Sequence, residues 1–216
     1  AVIPPTSYAQ QKPPRVFPIK NPALPSPKSP NTPRVAEKEI SGITFQGVAF
    51  DSRIHRLVVA DQENGPDSRY ADSASAAKAL DGIAAVNAGF FTPAGKPLGL
   101  VASSGKISGQ WNSGVWYEKV SGSSAISRRE KLGKTSALNM QELIQAGPML
   151  VENGRLIPGL EAMKSSARTL ILWDGGTRWW IGCSSTCTLK ELGKTLVTAD
   201  HTGWPIKQGM NLDGGR

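Results

Sequence analysis

From residue 40 onward no apolar run goes far before glycine, proline or a polar cluster interrupts it, and this punctuation restricts the chain more than any other feature. With 23 glycines, an apolar share of 39% and few helix-forming runs, the body reads as many short strands joined by turns. The segments 43–50 and 54–60 read as an opening hairpin that turns at Asp51 and Ser52. Residues 70–80 are alanine-rich and stop at Gly82, as a helix does, and 83–86 follow as a short buried strand. Further hairpins are expected across Ser103 to Gly105, around Gly122, across Glu152 to Gly154 and across Asp174 to Gly176. The stretch 128–134 reads as a loop and 140–144 as a helical turn. Leu189, Leu192, Leu196 and Val197 fall at helical spacing behind Thr188, a capping residue type, so 188–199 is the most secure helix. The expected fold is α+β: mixed, mostly antiparallel strands with two or three helices packed against the sheet.

The first 39 residues differ in kind. Ten prolines between Pro4 and Pro33 remove backbone donors and break helix and sheet alike, so residues 1–39 read as an extended tether or an arm. Residues 40–216 then form one domain. The net charge is +8, but six of the 25 basic and two of the 17 acidic residues lie in that leading segment, which leaves 19 against 15 in the body. So modest an excess, with no arginine-rich helix and no interleaving of basic and aromatic residues, gives no case for nucleic acid. No apolar stretch reaches eighteen residues, so no transmembrane segment is expected. Cys183 and Cys187 are separated by three residues, and His55 and His201 are the only histidines. That supply is short for zinc, so no metal and no cofactor is expected, and the pair reads as a disulfide formed in an oxidising compartment. No signal peptide is visible at Ala1, which fits a leader already removed or a fragment.

Two strand-end stretches attract chemistry. Residues 208–216 (QGMNLDGGR) read as a buried strand that delivers Asp213 at the rim of a sheet. Gly214 and Gly215 let a ligand approach bare backbone, and Arg216 adds a planar cation. A tight turn with a surface ion pair accounts for the same residues. Residues 87–91 (NAGFF) likewise follow a short apolar run. Asn87 offers a donor and an acceptor, Gly89 opens the backbone, and Phe90 and Phe91 are able to stack on a sugar or to pack in the core. Gln145 places an amide ahead of the rigid turn at Gly147 and Pro148. Arg168 and Thr169 open a strand of Leu and Ile, where a cation is costly unless it meets an anion. Both histidines read as lone surface residues, and no serine stands in a nucleophile elbow, which argues against a Ser-His-Asp hydrolase. Trp111, Trp179 and Trp180 read as packing residues.

Five motifs in register, NAGFF (87–91), GKPLGL (95–100), QAGPMLVENGR (145–155), SARTLI (166–171) and NLDGGR (211–216), resemble the phosphodiester glycosidase family. The resemblance covers the chain from about residue 40 to its end. It implies an α+β fold whose motifs converge on one pocket, and hydrolysis of a sugar linked through phosphate. The implied roles are Asp213 as the catalytic carboxylate, Asn87 with Gln145 orienting the sugar, and Arg168 and Arg216 holding the phosphate. Gly89, Phe90, Phe91, Gly147, Thr169, Gly214 and Gly215 complete the expected substrate-binding set. The family usually continues past Asp-Gly-Gly with small hydroxyl residues, and some members carry a third glycine where Arg216 stands. The implied partner is a glycan or sugar phosphate, and the tether suits a secreted, periplasmic or envelope-associated protein. A non-catalytic envelope module that binds anionic glycan in the same pocket is the rival expectation.

Overall fold

The computed structural model describes residues 2–3, 32–65, 67–113, 118–121, 125–198 and 201–214. The proline-rich positions 4–31, Gly122, Gly215 and Arg216 lie outside them. A two-residue pair joins β1 (Val2–Ile3) to β4 (Arg56–Leu57). The hairpin of β2 (Val35–Ile40) and β3 (Ile43–Asp51) follows, then the helix α1 (Ser73–Ala79) and a second hairpin, β5 (Val101–Ser103) with β6 (Lys106–Ser108). Next come β7 (Glu118–Ser121), β8 (Ala125–Ser127), the short helices α2 (Arg129–Leu132) and α3 (Lys134–Leu138), and β9 (Leu143–Ala146). The chain closes with β10 (Met149–Glu152), β11 (Arg155–Leu156), β12 (Ser166–Trp173), β13 (Arg178–Cys187), α4 (Leu189–Thr198) and β14 (Gln208–Leu212).

Every pairing between these strands is antiparallel. Seven strands lie in the order β11-β10-β14-β12-β13-β3-β2 and five in the order β6-β5-β9-β7-β8. The fold is therefore α+β, as the sequence implied. Three hairpins turn on the same device: Ser41–Gly42, Ser104–Gly105 and Asn153–Gly154 each place two consecutive residues at positive φ. Two-residue turns of that hand match the natural twist of the strands they join.

Side-chain alternation divides the apolar residues into layers. Ile171, Trp179, Ile181, Met210 and Leu212 of the larger sheet meet Ile126, Ile144 and Ala146 of the smaller one. On the other face of the larger sheet, Leu170, Leu172, Phe45 and Trp180 pack against Leu192 and Leu196 of α4. The outer face of the smaller sheet, with Ala102 and Leu143, packs against Ala137 of α3. Thr188 caps α4 reciprocally: its Oγ1 accepts from the Glu191 N–H (3.1 Å), and the Thr188 N–H donates to Glu191 Oε2 (2.9 Å).

Several expectations are corrected. The opening hairpin is β2 with β3, so the larger sheet takes up the chain from Val35. The chain after Asp51 instead turns away, with Arg53 N–H on Asp51 Oδ1 (2.8 Å) and His55 N–H on the Asp51 carbonyl (2.9 Å). Residues 83–86 form no strand, residues 129–132 form helix α2, and part of the expected turn at 140–144 is strand β9.

The disulfide is absent: Cys183 and Cys187 are free thiols. Both lie on β13, and four residues of extended chain separate their Cα atoms by about 13 Å, whereas a disulfide needs under about 7 Å. Cys183 is exposed, while Cys187 is buried and its thiol is pushed up by that burial. A maleimide should label one thiol rapidly in native protein and the second only after unfolding; two fast thiols would contradict this arrangement.

The histidines are not surface residues. His201 stacks on Phe45 at 4.3 Å between centroids, and His55 is buried, with an Nδ1 that has no hydrogen-bond partner. Burial lowers the His55 pKa, against a smaller opposing pull from Asp51. In the unfolded chain the ring titrates near 6.5, so below that pH the unfolded state gains a proton that the folded state refuses. Stability should therefore fall as pH drops below about 6.5. His55→Gln should flatten the melting temperature over that window, and an unchanged slope would assign the loss elsewhere.

Candidate active site

Strand β14 is buried on both faces and lies between β10 and β12 in the larger sheet. Asp213 is the next residue. Its N–H donates to the Ala88 carbonyl at 3.0 Å, because β10 has already diverged and the 87–91 stretch takes its place alongside β14. Two segments more than a hundred positions apart are thus joined main chain to main chain. Both open into a cavity of about 950 Å³, near the upper end of the 300 to 1,000 Å³ common for small-ligand sites. Asp213, Asn87, Gly89, Phe90, Phe91 and Gln145 all line it.

The two phenylalanines divide the two roles weighed for them. Phe90 is half-buried against the core between the sheets, whereas Phe91 is 49% exposed and bridges to Pro97. Asn87 is exposed at the wall. An added methyl at Gly89 would stand 3.6 Å from the Gln145 carbonyl, an ordinary contact. Gly214 is different: an added Cβ would lie 2.7 Å from the Ala167 carbonyl, so only glycine lets the chain after Asp213 pass so close to β12.

Gln145 reaches the cavity, but its amide is committed elsewhere. The Oε1 atom accepts from the Leu100 N–H (2.9 Å) and the Asn112 N–H (2.8 Å), and Nε2 donates to the Asn112 carbonyl (3.1 Å). Gln145 therefore fastens the 98–112 stretch to β9 and does not present a free amide to a sugar.

Four expected residues do not line the cavity: Gly214, whose backbone runs against β12, Arg168, Thr169 and Gly147. Arg168 shares a face of β12 with Leu170 and Leu172, the face covered by α4, while cavity-lining Ile171 is on the other. Its guanidinium donates to the Lys164 carbonyl (2.9 Å) and the Cys187 carbonyl (3.4 Å). Neutral carbonyl oxygens take its N–H groups, and the Glu161 carboxylate lies close enough to be stabilised by its charge. Thr169 is buried opposite Leu212, on the cavity face but behind its lining. The Gly147 carbonyl accepts from Asn211 Nδ2 (3.3 Å) and serves the sheet. Gly215 and Arg216 fall outside the described residues.

The wall that sequence reasoning missed is the polar stretch between β4 and α1. Asp61, Glu63, Asp67, Tyr70 and Asp72 all line the cavity. The Gln62 amide shapes this stretch by accepting from the Tyr70 N–H (2.8 Å) and donating to the Tyr70 carbonyl (2.8 Å). Asp72 caps α1 through the Ser75 N–H at 2.7 Å, and that bonding with Ser75 holds its carboxyl below the usual range. Glu142 accepts from the Val59 N–H (2.7 Å) and the Ser104 N–H (3.0 Å), although burial raises its pKa. The density of acids at 61–72 was the available signal. Among the described residues no lysine or arginine lines the cavity, and no group of three or more His, Cys, Asp or Glu could hold a metal ion.

The structure is thus a two-sheet α+β fold with a strand-end carboxylate on a ligand-sized cavity. The family profile described as phosphodiester glycosidase matches residues 81–216, and the chain belongs to that family. The catalytic domain of zebrafish N-acetylglucosamine-1-phosphodiester alpha-N-acetylglucosaminidase, auto-inhibited by its pro-peptide, shares the fold. It is 19% identical, with a TM-score of 0.53, covering 87% of this chain and 72% of that one. A hypothetical protein from Synechocystis is similarly related, at 16% identity and a TM-score of 0.54, covering 85% of this chain and 56% of the other. No curated protein matches the chain. The family supports a glycosidase-type function and a glycan substrate. No helix among the described residues is long and apolar enough to cross a membrane.

Proposed function

We propose that the cavity hydrolyses a glycosyl phosphodiester, a sugar linked through phosphate, in the cell envelope or outside the cell. The observation that carries this reading is the 3.0 Å bond from the Asp213 N–H to the Ala88 carbonyl, which sets a carboxylate beside Asn87 in one cavity. Asp213 acts on the anomeric centre, as nucleophile or as base toward water, and Asn87 orients the sugar with its paired donor and acceptor. Breaking the anomeric C–O bond releases a phosphomonoester, a stable anion, so the leaving oxygen does not require the second carboxylic acid that ordinary glycosidases employ. The exposed Phe91 ring offers an apolar face to the sugar. The zebrafish relative, named for a phosphodiester of N-acetylglucosamine, supports the same substrate class.

The test is to incubate purified protein with an N-acetylglucosamine phosphodiester, the corresponding phosphomonoester and a plain alkyl glycoside. Release of free sugar from the diester alone is expected. Equal release from the alkyl glycoside, or release from none of them, overturns the reading.

A further inference from the structure

The stretch after β4 is fastened over one face of the β5–β6 hairpin. Val101 pairs with Ser108 and Ser103 with Lys106, so these four side chains share that face. Ser103 Oγ donates to the Val59 carbonyl (2.7 Å), and Lys106 Nζ lies 3.3 Å from Glu63 Oε1, which Arg69 Nη1 also approaches at 3.1 Å. Together with Gln62, Asp72 and Glu142, nearly every polar side chain that builds this wall has its partners.

Two do not. Asp61 Oδ2 and Ser108 Oγ are buried without a hydrogen-bond partner, and both residues line the cavity. A carboxylate oxygen shielded from water and left unmatched is costly, and such atoms are uncommon in native folds. One oxygen accepts only and the other both donates and accepts, so each matches a hydroxyl of a neutral ring. The surrounding charge sharpens the assignment. Glu63 is offset by Lys106 and Arg69, but Asp61, Asp67 and Asp72 on this wall repel a phosphate, while a carboxylate and a hydroxyl suit a polyol.

We infer that Asp61 and Ser108 form a hydroxyl-recognition subsite for the neutral, hydroxyl-rich glycosyl part of the substrate, and that the phosphate is held away from this wall. This inference rests on the glycosyl phosphodiester reading above for the substrate's identity, but not for the polyol class. It also sets the substrate's direction in the cavity: the sugar's hydroxyls toward the 57–72 wall, the charged linkage toward the end of β14.

The experiment measures calorimetric binding of free N-acetylglucosamine, glucose, galactose and mannose, and of inorganic phosphate, to wild type, Asp61→Ala and Ser108→Ala. At least one sugar is expected to bind wild type. Asp61→Ala should weaken it about tenfold or more and Ser108→Ala several-fold, with inorganic phosphate unaffected. Because Asp61 Oδ2 has no internal partner, Asp61→Ala should not lower the melting temperature, which separates recognition from a structural role. A deoxy sugar lacking the recognised hydroxyl should bind wild type about tenfold more weakly than its parent and lose nothing further in Asp61→Ala. Unchanged sugar affinity in both variants, absence of any sugar binding, or an equal change for phosphate overturns the subsite. Sugar binding lost in Asp61→Ala without diester turnover by wild type would remove the hydrolytic reading and leave the subsite standing. Turnover whose KM ignores both variants would do the reverse.

Discussion

Gln145→Leu should lower stability by about 3–5 kcal/mol and the melting temperature by roughly 10 °C, although leucine is close in volume and the position lines the cavity. The amide serves two main-chain donors, at Leu100 and Asn112, and one main-chain acceptor at Asn112, all across separations of more than thirty residues. Each buried amide left unmatched costs about 1–3 kcal/mol, whereas the apolar surface of the replacement recovers little at a site already fully covered. Gly99 makes the same junction from the opposite side: a Cβ there would meet the Gln145 Cβ at 2.6 Å and its carbonyl at 2.8 Å. The stretch 98–112 is therefore held to β9 by this side chain, fitted against bare backbone, in addition to the β5–β9 pairing. Amide exchange at Leu100 and Asn112 should speed up in the variant well beyond the rest of β9. A melting temperature within about 2 °C of wild type would mean that water replaces the amide at no cost.

What the sequence disclosed, and what it concealed, follows from how local each determinant is. The turns at Ser104–Gly105 and Asn153–Gly154 need two residues of a permissive kind and can be read off the chain, as can the Thr188 and Glu191 cap of α4. Strand β9 could not be separated from a helical turn over four residues, because short apolar runs serve either period and the partners that decide, β5 and β7, are remote. For Asp213 the strand-end position was legible from Met210, Leu212 and the glycines. Its hydrogen bond to Ala88 was not, since nothing in residues 83–91 announces that they take over the edge vacated by β10. Arg168 shows the opposite failure. Its charge invited an anionic ligand, but alternation along β12 turns it to the α4 face, where two carbonyl oxygens take its N–H groups and the Glu161 carboxylate lies near its charge. Cysteine spacing misled for the same reason, because a three-residue gap closes a loop only when the chain is not extended. The 57–72 wall was hidden by composition: its acids resemble an ordinary solvated loop until the Gln62 and Glu142 bonds fold it inward.

Asp213→Asn should reduce turnover of a glycosyl phosphodiester by about 100-fold or more, with a much smaller effect on KM. The structural link at this position is the backbone N–H on the Ala88 carbonyl, which asparagine retains, so the fold and the placement of Asn87 should survive. What disappears is the negative charge and basicity of the carboxylate at the rim of β14. Asn87→Ala, by contrast, removes an orienting group and should act mainly on KM. Arg168→Gln decides between the sequence expectation and the geometry. If the guanidinium remains with the Lys164 and Cys187 carbonyls, its loss should lower the melting temperature while turnover at a permissive temperature stays close to wild type. If Arg168 instead grips the phosphate, turnover and KM will both suffer, and β12 must present that side chain to the cavity during the reaction. Equal turnover by Asp213→Asn and wild type would remove the carboxylate from the chemistry. A 3.0 Å bond between distant segments would then mark only where the two sheets close on each other.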